Sequence, residues 1–128
     1  MNTIEASPLQ QWQDHLRAGQ LAYQFSPDTG RAVFYPRLVC PHGGLAPLEW
    51  RISAGQGTVH SISMVHPVKG APYPVALIDL DEGWRMMSTL EDAAGTPDEI
   101  GLRVRLRLRP SASEDEPPVP VFVREDAA

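Results

Sequence analysis

Residues Leu102–Arg109 read LRVRLRLR, a run in which apolar and basic side chains alternate without a break. A period of two is the pattern of a β-strand with one buried face, and a helix would scatter it around its whole circumference. Leu102, Val104, Leu106 and Leu108 are therefore expected to face a core, with Arg103, Arg105, Arg107 and Arg109 together on the opposite face. Slipping the register by one residue would bury the guanidinium groups instead. The rest of the chain must supply neighbours for this strand.

The neighbours are legible in order. GTVHSISMVH (57–66) is rich in β-branched residues, a proline-rich turn at PVKGAPYP follows, and VALIDLDEG continues as a second strand. The apolar residues of VALIDL fall on both faces, as in a strand buried on both sides or curled into a small barrel. Asp81–Gly83 reads as a hairpin turn, and WRMMSTL returns as the partner strand. EDAAGTPDEIG is a polar connection in which TPDEI predicts a capped helical turn, with Thr96 before Pro97 and acids in the first turn. The last strand is VPVFVRED, after the acidic loop PSASEDEPP. His60 and His66 share strand parity with Ile62 and Met64, which predicts them along one face. Five strands with a helical turn between the third and fourth predict a Greek-key barrel of the OB type over residues 51–128.

Upstream, SPLQQWQDHLRAG predicts a short amphipathic helix within residues 1–20: Ser7 caps, Pro8 fits the first turn, Leu9, Trp12 and Leu16 form a stripe, and Gly19 ends it. A helix folded against its own domain and a helix offered to a partner are both open readings. Residues 21–50 break into short apolar pieces, LAYQF, AVFYP and LEWRI, separated by SPDTGR and CPHGGLAP. Two extended arms with two tight turns are the layout of a ribbon whose knuckles grip one metal ion. The ligand positions would then be Ser26, Thr29, Cys40 and Gly43, and only Cys40 offers a thiolate. Even with the His42 imidazole the donor set is half empty, so a metal-free ribbon is expected.

Composition bounds the function classes. A chain of 128 residues is about one domain long, and its single cysteine forbids an intrachain disulfide, which makes the cytoplasm the default. The first residues carry neither a basic start nor an apolar stretch, so no signal peptide is expected, and no run approaches membrane-spanning length. The net charge of −5 opposes binding to nucleic acid except where cations cluster, as they do on the arginine face. Stacking platforms are the other requirement of a single-strand binder, and no aromatic lies in LRVRLRLRP. The arginine face thus has three readings: a salt-bridged outer face, a docking face for an acidic partner, or a phosphate contact for CoA or nucleic acid.

The order of FYPRLVCPHGG, LEWRISAGQGTVHSISMVH, PYPVALIDLDEG, GLRVRLRLR and VPVFV resembles the acyl-CoA-associated family known as domain of unknown function 35. Its most specific parts are the ribbon text at Phe34–Gly44, the G-x-G-T-V stretch at Gly55–Val59, and ALIDLDEG at Ala76–Gly83. The resemblance implies a mainly β fold: an N-terminal helix, a rubredoxin-like zinc ribbon, here metal-free, and a five-stranded OB-fold barrel. The family pattern puts cysteines where this chain has Ser26, Thr29 and Gly43, so CPHGG resembles the remnant of a lost zinc knuckle. The resemblance also implies a small accessory subunit of a thiolase-like or other CoA-thioester enzyme, with the catalytic residues in the partner and any CoA thioester met through the complex.

The residues agree with a non-catalytic part. Cys40 and His42 stand too close in extended backbone to act as nucleophile and base, and His15, His60 and His66 are scattered. Trp12, Phe34, Tyr35 and Trp50 supply more large apolar groups than a small barrel needs, and are the partner-binding candidates. The alternative is a free-standing OB-fold binder of a ligand or of single-stranded nucleic acid, using Arg103, Arg105, Arg107 and Arg109. A homo-oligomer with a structural role is the third.

Overall fold

A computed structural model describes residues 7–34, 36–37 and 47–125. Tyr35, Cys40, His42 and Gly43 lie outside the described residues.

The N-terminal helix α1 (Pro8–Arg17) starts where its cap predicts, with Ser7 Oγ accepting the N–H of Gln10 at 3.1 Å. It stops at a left-handed Gly19, where Gly19 N–H donates to the Leu16 carbonyl and Gln20 N–H to that of His15, so the last turn's carbonyls stay paired. Leu16 is buried and Trp12 packs against the core, while Leu9 stays exposed. The helix is folded against its own chain.

Three short strands follow, β1 (Ala22–Ser26), β2 (Arg31–Val33) and β3 (Glu49–Ile52), forming an antiparallel sheet in the order β2-β1-β3. The central strand is the buried one: Ala22, Tyr23, Gln24 and Ser26 are shielded, whereas β3 is largely exposed. Gln24 solves the problem of a polar side chain in this position. Its Nε2 donates to the Arg37 carbonyl at 2.7 Å and its Oε1 accepts the Arg37 N–H at 2.6 Å, so it pairs with the chain after β2 as a backbone would.

The second sheet holds β4 (Gln56–Val65), β5 (Tyr73–Leu80), β6 (Trp84–Ser88), β7 (Arg103–Arg109) and β8 (Val119–Arg124) in the order β6-β5-β4-β7-β8. After β6 the chain turns alongside β8, where Leu90 bridges Phe122 in parallel, Phe122 N–H donates to Thr89 O at 3.0 Å and Glu91 N–H to Phe122 O at 2.9 Å. That last pairing closes the sheet into the five-stranded barrel of an OB fold. A 3-10 turn (Pro97–Glu99) lies between β6 and β7 with a capping box at Thr96, as its sequence predicts. Val59, Ile78, Leu80, Leu90, Val104 and Phe122 form the centre of the core.

The alternation in β7 holds throughout: every arginine is exposed, Val104 is fully buried, and Leu106 and Leu108 pack against the core. The G-x-G of Gly55–Gly57 has a steric cause. A Cβ on Gly57 would lie 2.6 Å from the Asp79 carbonyl oxygen, and Gly55, at φ 75°, would place one 2.8 Å from Leu106 Cβ. Backbones approach there without room for side chains.

One expectation is corrected. The β4–β5 register shifts between Val59 and Ser61, so Val59 pairs with Ile78 and Ile62 with Ala76, leaving His60 as the extra residue of a bulge. The bulge reverses strand parity, so His60 is exposed beside Asp79 and does not share a face with Ile62.

Candidate docking groove

Aromatic side chains join the two sheets. Tyr23 of β1 stacks on Trp84 of β6 with centroids 5.4 Å apart, Phe34 approaches Trp84 at 4.7 Å, and Trp12 of α1 meets Phe34 edge-on at 5.8 Å. Below them Glu82, in the β5–β6 turn, gathers the crossing point: it accepts from Ser53 Oγ (2.8 Å), Ala54 N–H (2.9 Å) and Trp84 Nε1 (3.1 Å). Trp12 and Phe34 are therefore half-buried members of this seam. Their packing absorbs apolar surface that a barrel alone would leave over. Trp50 is also committed within the chain, with Nε1 donating to Gln11 Oε1 at 2.5 Å and its ring 5.5 Å from that of His15.

Beside the seam opens an apolar groove of about 950 Å³. Trp12 and Phe34 line one end, and buried Met86, Leu90 and Val121 lie deeper along it. Its mouth is formed by Tyr73, Met87 and Val119, which are 50%, 69% and 39% exposed on β5, β6 and β8. Residues of this size and exposure gathered around one cleft mark an interaction face more strongly than scattered surface leucines do. Sequence reading missed all three mouth residues. Met87 follows Met86 in a strand, so one of the two had to point outward, but which one depends on the register with β5.

The arginine face is a charge network. Arg103 grips Asp81 through two bonds, Nη1 to Oδ1 at 2.8 Å and Nη2 to Oδ2 at 2.7 Å, and also lies 3.5 Å from Glu125. The Asp81 bonds raise the Arg103 pKa and hold the Asp81 carboxyl below its ordinary value. Arg107 bonds Glu91 at 2.6 Å, and Arg109 lies 3.7 Å from the same carboxylate. Next to this network Arg85 bonds Asp79 at 2.6 Å and lowers its pKa, with His60 Nδ1 at 3.4 Å from Asp79. The face carries the salt bridges that one of its three readings requires.

A buried carboxylate completes the region. Glu99 is 2% exposed and accepts the N–H groups of Ala94 (3.1 Å), Gly95 (2.7 Å) and Thr96 (2.9 Å) together with Arg124 Nη2 (3.1 Å). Burial pushes its pKa up, but the backbone donors and Arg124 outweigh burial and leave it below the ordinary glutamate value. Sequence reading placed this acid in a capped turn without seeing that it would be buried.

In the β1–β2 turn, Ser26 is fully buried and its Oγ accepts the Thr29 N–H at 3.3 Å. These two positions, expected from the sequence as former ligands, are thus linked within an ordinary turn. Among the described residues no group of three or more His, Cys, Asp or Glu is arranged to hold a metal, and no helix is long and apolar enough to cross a membrane.

A helix and small sheet stacked by aromatics on an OB barrel define a two-part, OB-fold class of protein. Residues 50–109 match the profile described as ChsH2, C-terminal OB-fold domain. A DUF35 domain-containing scaffold protein of Methanothermobacter thermautotrophicus is 34% identical over 94 residues, covering 66% of this chain and 68% of that protein. The chain belongs to the DUF35 family. It is also 36% identical over 63 residues to the 3-oxo-4,17-pregnadiene-20-carboxyl-CoA hydratase alpha subunit of Mycobacterium tuberculosis, covering 46% of this chain but only 20% of that one. Among solved structures, a chain of the Ltp2-ChsH2(DUF35) aldolase superposes with a TM-score of 0.75 at 28% identity, covering 97% of this chain and 98% of that one. A DUF35 protein of unknown function from Sulfolobus solfataricus shares the fold with a TM-score of 0.63 at 14% identity.

Proposed function

We propose that this chain is a non-catalytic accessory subunit that binds and supports an enzyme acting on CoA thioesters, of thiolase, aldolase or hydratase type, in the cytoplasm. The observation that carries this reading is the nearly end-to-end superposition on a chain of the Ltp2-ChsH2(DUF35) aldolase. The names of the relatives, a scaffold protein and hydratase alpha subunits, point the same way. The face that fits the role is the groove mouth of Tyr73, Met87 and Val119, where large apolar groups stand in water. The arginine face fits it less well, because Arg103, Arg107 and Arg109 already have carboxylate partners.

The ribbon is read as holding no structural zinc. Ser26 and Thr29 are poor zinc donors, the Ser26 Oγ already accepts the Thr29 backbone N–H, and Gly43 has no side chain to offer. Metal analysis of the purified protein should give far less than one zinc per chain, and a chelator should leave its melting temperature unchanged. Stoichiometric zinc would overturn this part.

The accessory role is tested by gel filtration with an acyl-CoA enzyme of thiolase, aldolase or hydratase type from the same organism. The two should co-elute, and Met87→Asp should weaken the complex by about tenfold or more by placing a charge in the desolvated centre. Separate elution of the wild-type proteins would sink the role. Unchanged affinity in Met87→Asp would move the interface away from the groove mouth.

A further inference from the structure

One wall of the groove is the segment after β6, where Leu90, Glu91, Asp92 and Ala93 line the cleft. Both ends of this segment are tied. At its start Leu90 is fully buried, Glu91 N–H donates to Phe122 O, and the Glu91 carboxylate is held by Arg107 and Arg109. At its far end three consecutive N–H groups, from Ala94, Gly95 and Thr96, converge on Glu99. Asp92 stands between the two anchors in the left-handed region at φ 60°, a conformation that costs energy and persists only where its surroundings impose it.

We propose that Glu99 is the positioning residue of the groove: buried in the 3-10 turn, it holds Glu91–Thr96 as a rigid strap, and so sets the opening that a partner enters. Only the identity of that partner, the acyl-CoA enzyme, rests on the accessory role. The chemistry at Glu99 is specific. An ionised carboxylate is an acceptor at both oxygens, and here it takes three backbone donors and one guanidinium. A glutamine of the same shape turns an –NH2 toward some of those donors and cannot satisfy them all. Loss of the acceptor releases the strap's backbone to water, where an ordered loop has no reason to keep one conformation.

Hydrogen exchange on the full chain tests the strap without any partner. In Glu99→Gln the amides of Ala94, Gly95 and Thr96 should exchange about tenfold faster or more, while β4 and β5 keep their protection. Peroxide should then oxidise Met86, which is buried along the groove, at a rate closer to that of exposed Met87. Arg124→Gln removes one donor of the four and should show the same local change at smaller size. It decides the matter if Glu99→Gln does not fold. Unchanged exchange at Ala94–Thr96, or acceleration spread evenly over β4 and β5, overturns the proposal. Where the enzyme binds the wild-type chain, Glu99→Gln should bind it more weakly, and equal binding by a loosened strap would show that the strap does not set the groove. If the enzyme binds neither protein, the accessory role fails while the exchange result still decides whether Glu99 holds the strap.

Discussion

The two sheets are held together by different means. In the barrel, cohesion is spread over long ladders and a continuous core: β4 pairs with β5 from Gly57 to Val65, and β7 with β8 from Val104 to Arg109. The N-terminal sheet has one buried strand, one of three residues and one largely exposed. It is secured mainly through the aromatic seam, with Tyr23, Phe34 and, through Phe34, Trp12 all leading to Trp84, helped by the Glu82 bonds to Ser53 and Ala54 and by buried Leu16 and Leu21. Aromatic packing on the barrel is what anchors so small a sheet. The difference also explains where a groove can open, since the seam leaves a cleft that a continuous sheet would have filled.

The largest test of this contrast is Trp84→Ala. It removes a side chain of 5% exposure that both sheets share, and should cost about 3–5 kcal/mol in urea unfolding. Exchange protection should be lost in β1 and β2 before β4 and β5. Equal loss in both sheets would mean that they unfold as one unit and that the contrast is wrong.

Gly57→Ala probes the barrel in turn. With a carbonyl oxygen 2.6 Å from the new methyl, the strands must part, and a loss of about 1–3 kcal/mol is expected, shared by β4, β5 and β7. A neutral result would show that the ladder yields more easily than its close approach suggests.

Acid should affect the barrel before the N-terminal sheet, because the carboxyls with depressed pKa values among the described residues, Asp79, Asp81 and Glu99, all belong to it. Each is more acidic in the folded state than in the unfolded one. Their stabilisation is therefore complete above the ordinary carboxylate range of about pH 4 and is lost as pH falls through the lower folded values. Urea midpoints measured downward from pH 7 should fall through that range, and less steeply in Glu99→Gln. An equal slope in the variant would remove Glu99 from this account.

The smallest effect is expected at the arginine face. Replacing Arg105 and Arg107 by Gln leaves the apolar face of β7 untouched, and exposed ion pairs contribute little, so the unfolding midpoint should move only slightly. Salt-sensitive binding of a single-stranded oligonucleotide that the double variant loses would revive the nucleic-acid reading.

What could be read from the sequence follows how local its cause is. Ser7 and Thr96 act on backbone groups within a few residues, and the period of two in β7 needs only one buried face, so the helix, the 3-10 turn and the barrel order were all legible. The features that shape the groove are not local. The His60 bulge depends on how β4 meets β5, and the outward aim of Met87 on the same register. Glu82 and Glu99 look like ordinary turn acids until the chain brings Ser53 to one and Arg124 to the other. Trp12 and Phe34 were legible as surplus apolar groups, but the seam that takes them up exists only once two sheets pack. A two-methionine step in a strand and an acid three residues after a glycine–threonine pair are the only signals that pointed toward these sites.

The most direct test of the accessory role is the steady-state turnover of an acyl-CoA enzyme that co-elutes with this chain, measured alone, with this chain, and with the Met87→Asp chain. The account predicts no turnover by this chain alone, a higher rate or a longer-lived enzyme when the wild-type chain is present, and less of that gain with Met87→Asp. A rate and lifetime that are the same with and without the wild-type chain would contradict it.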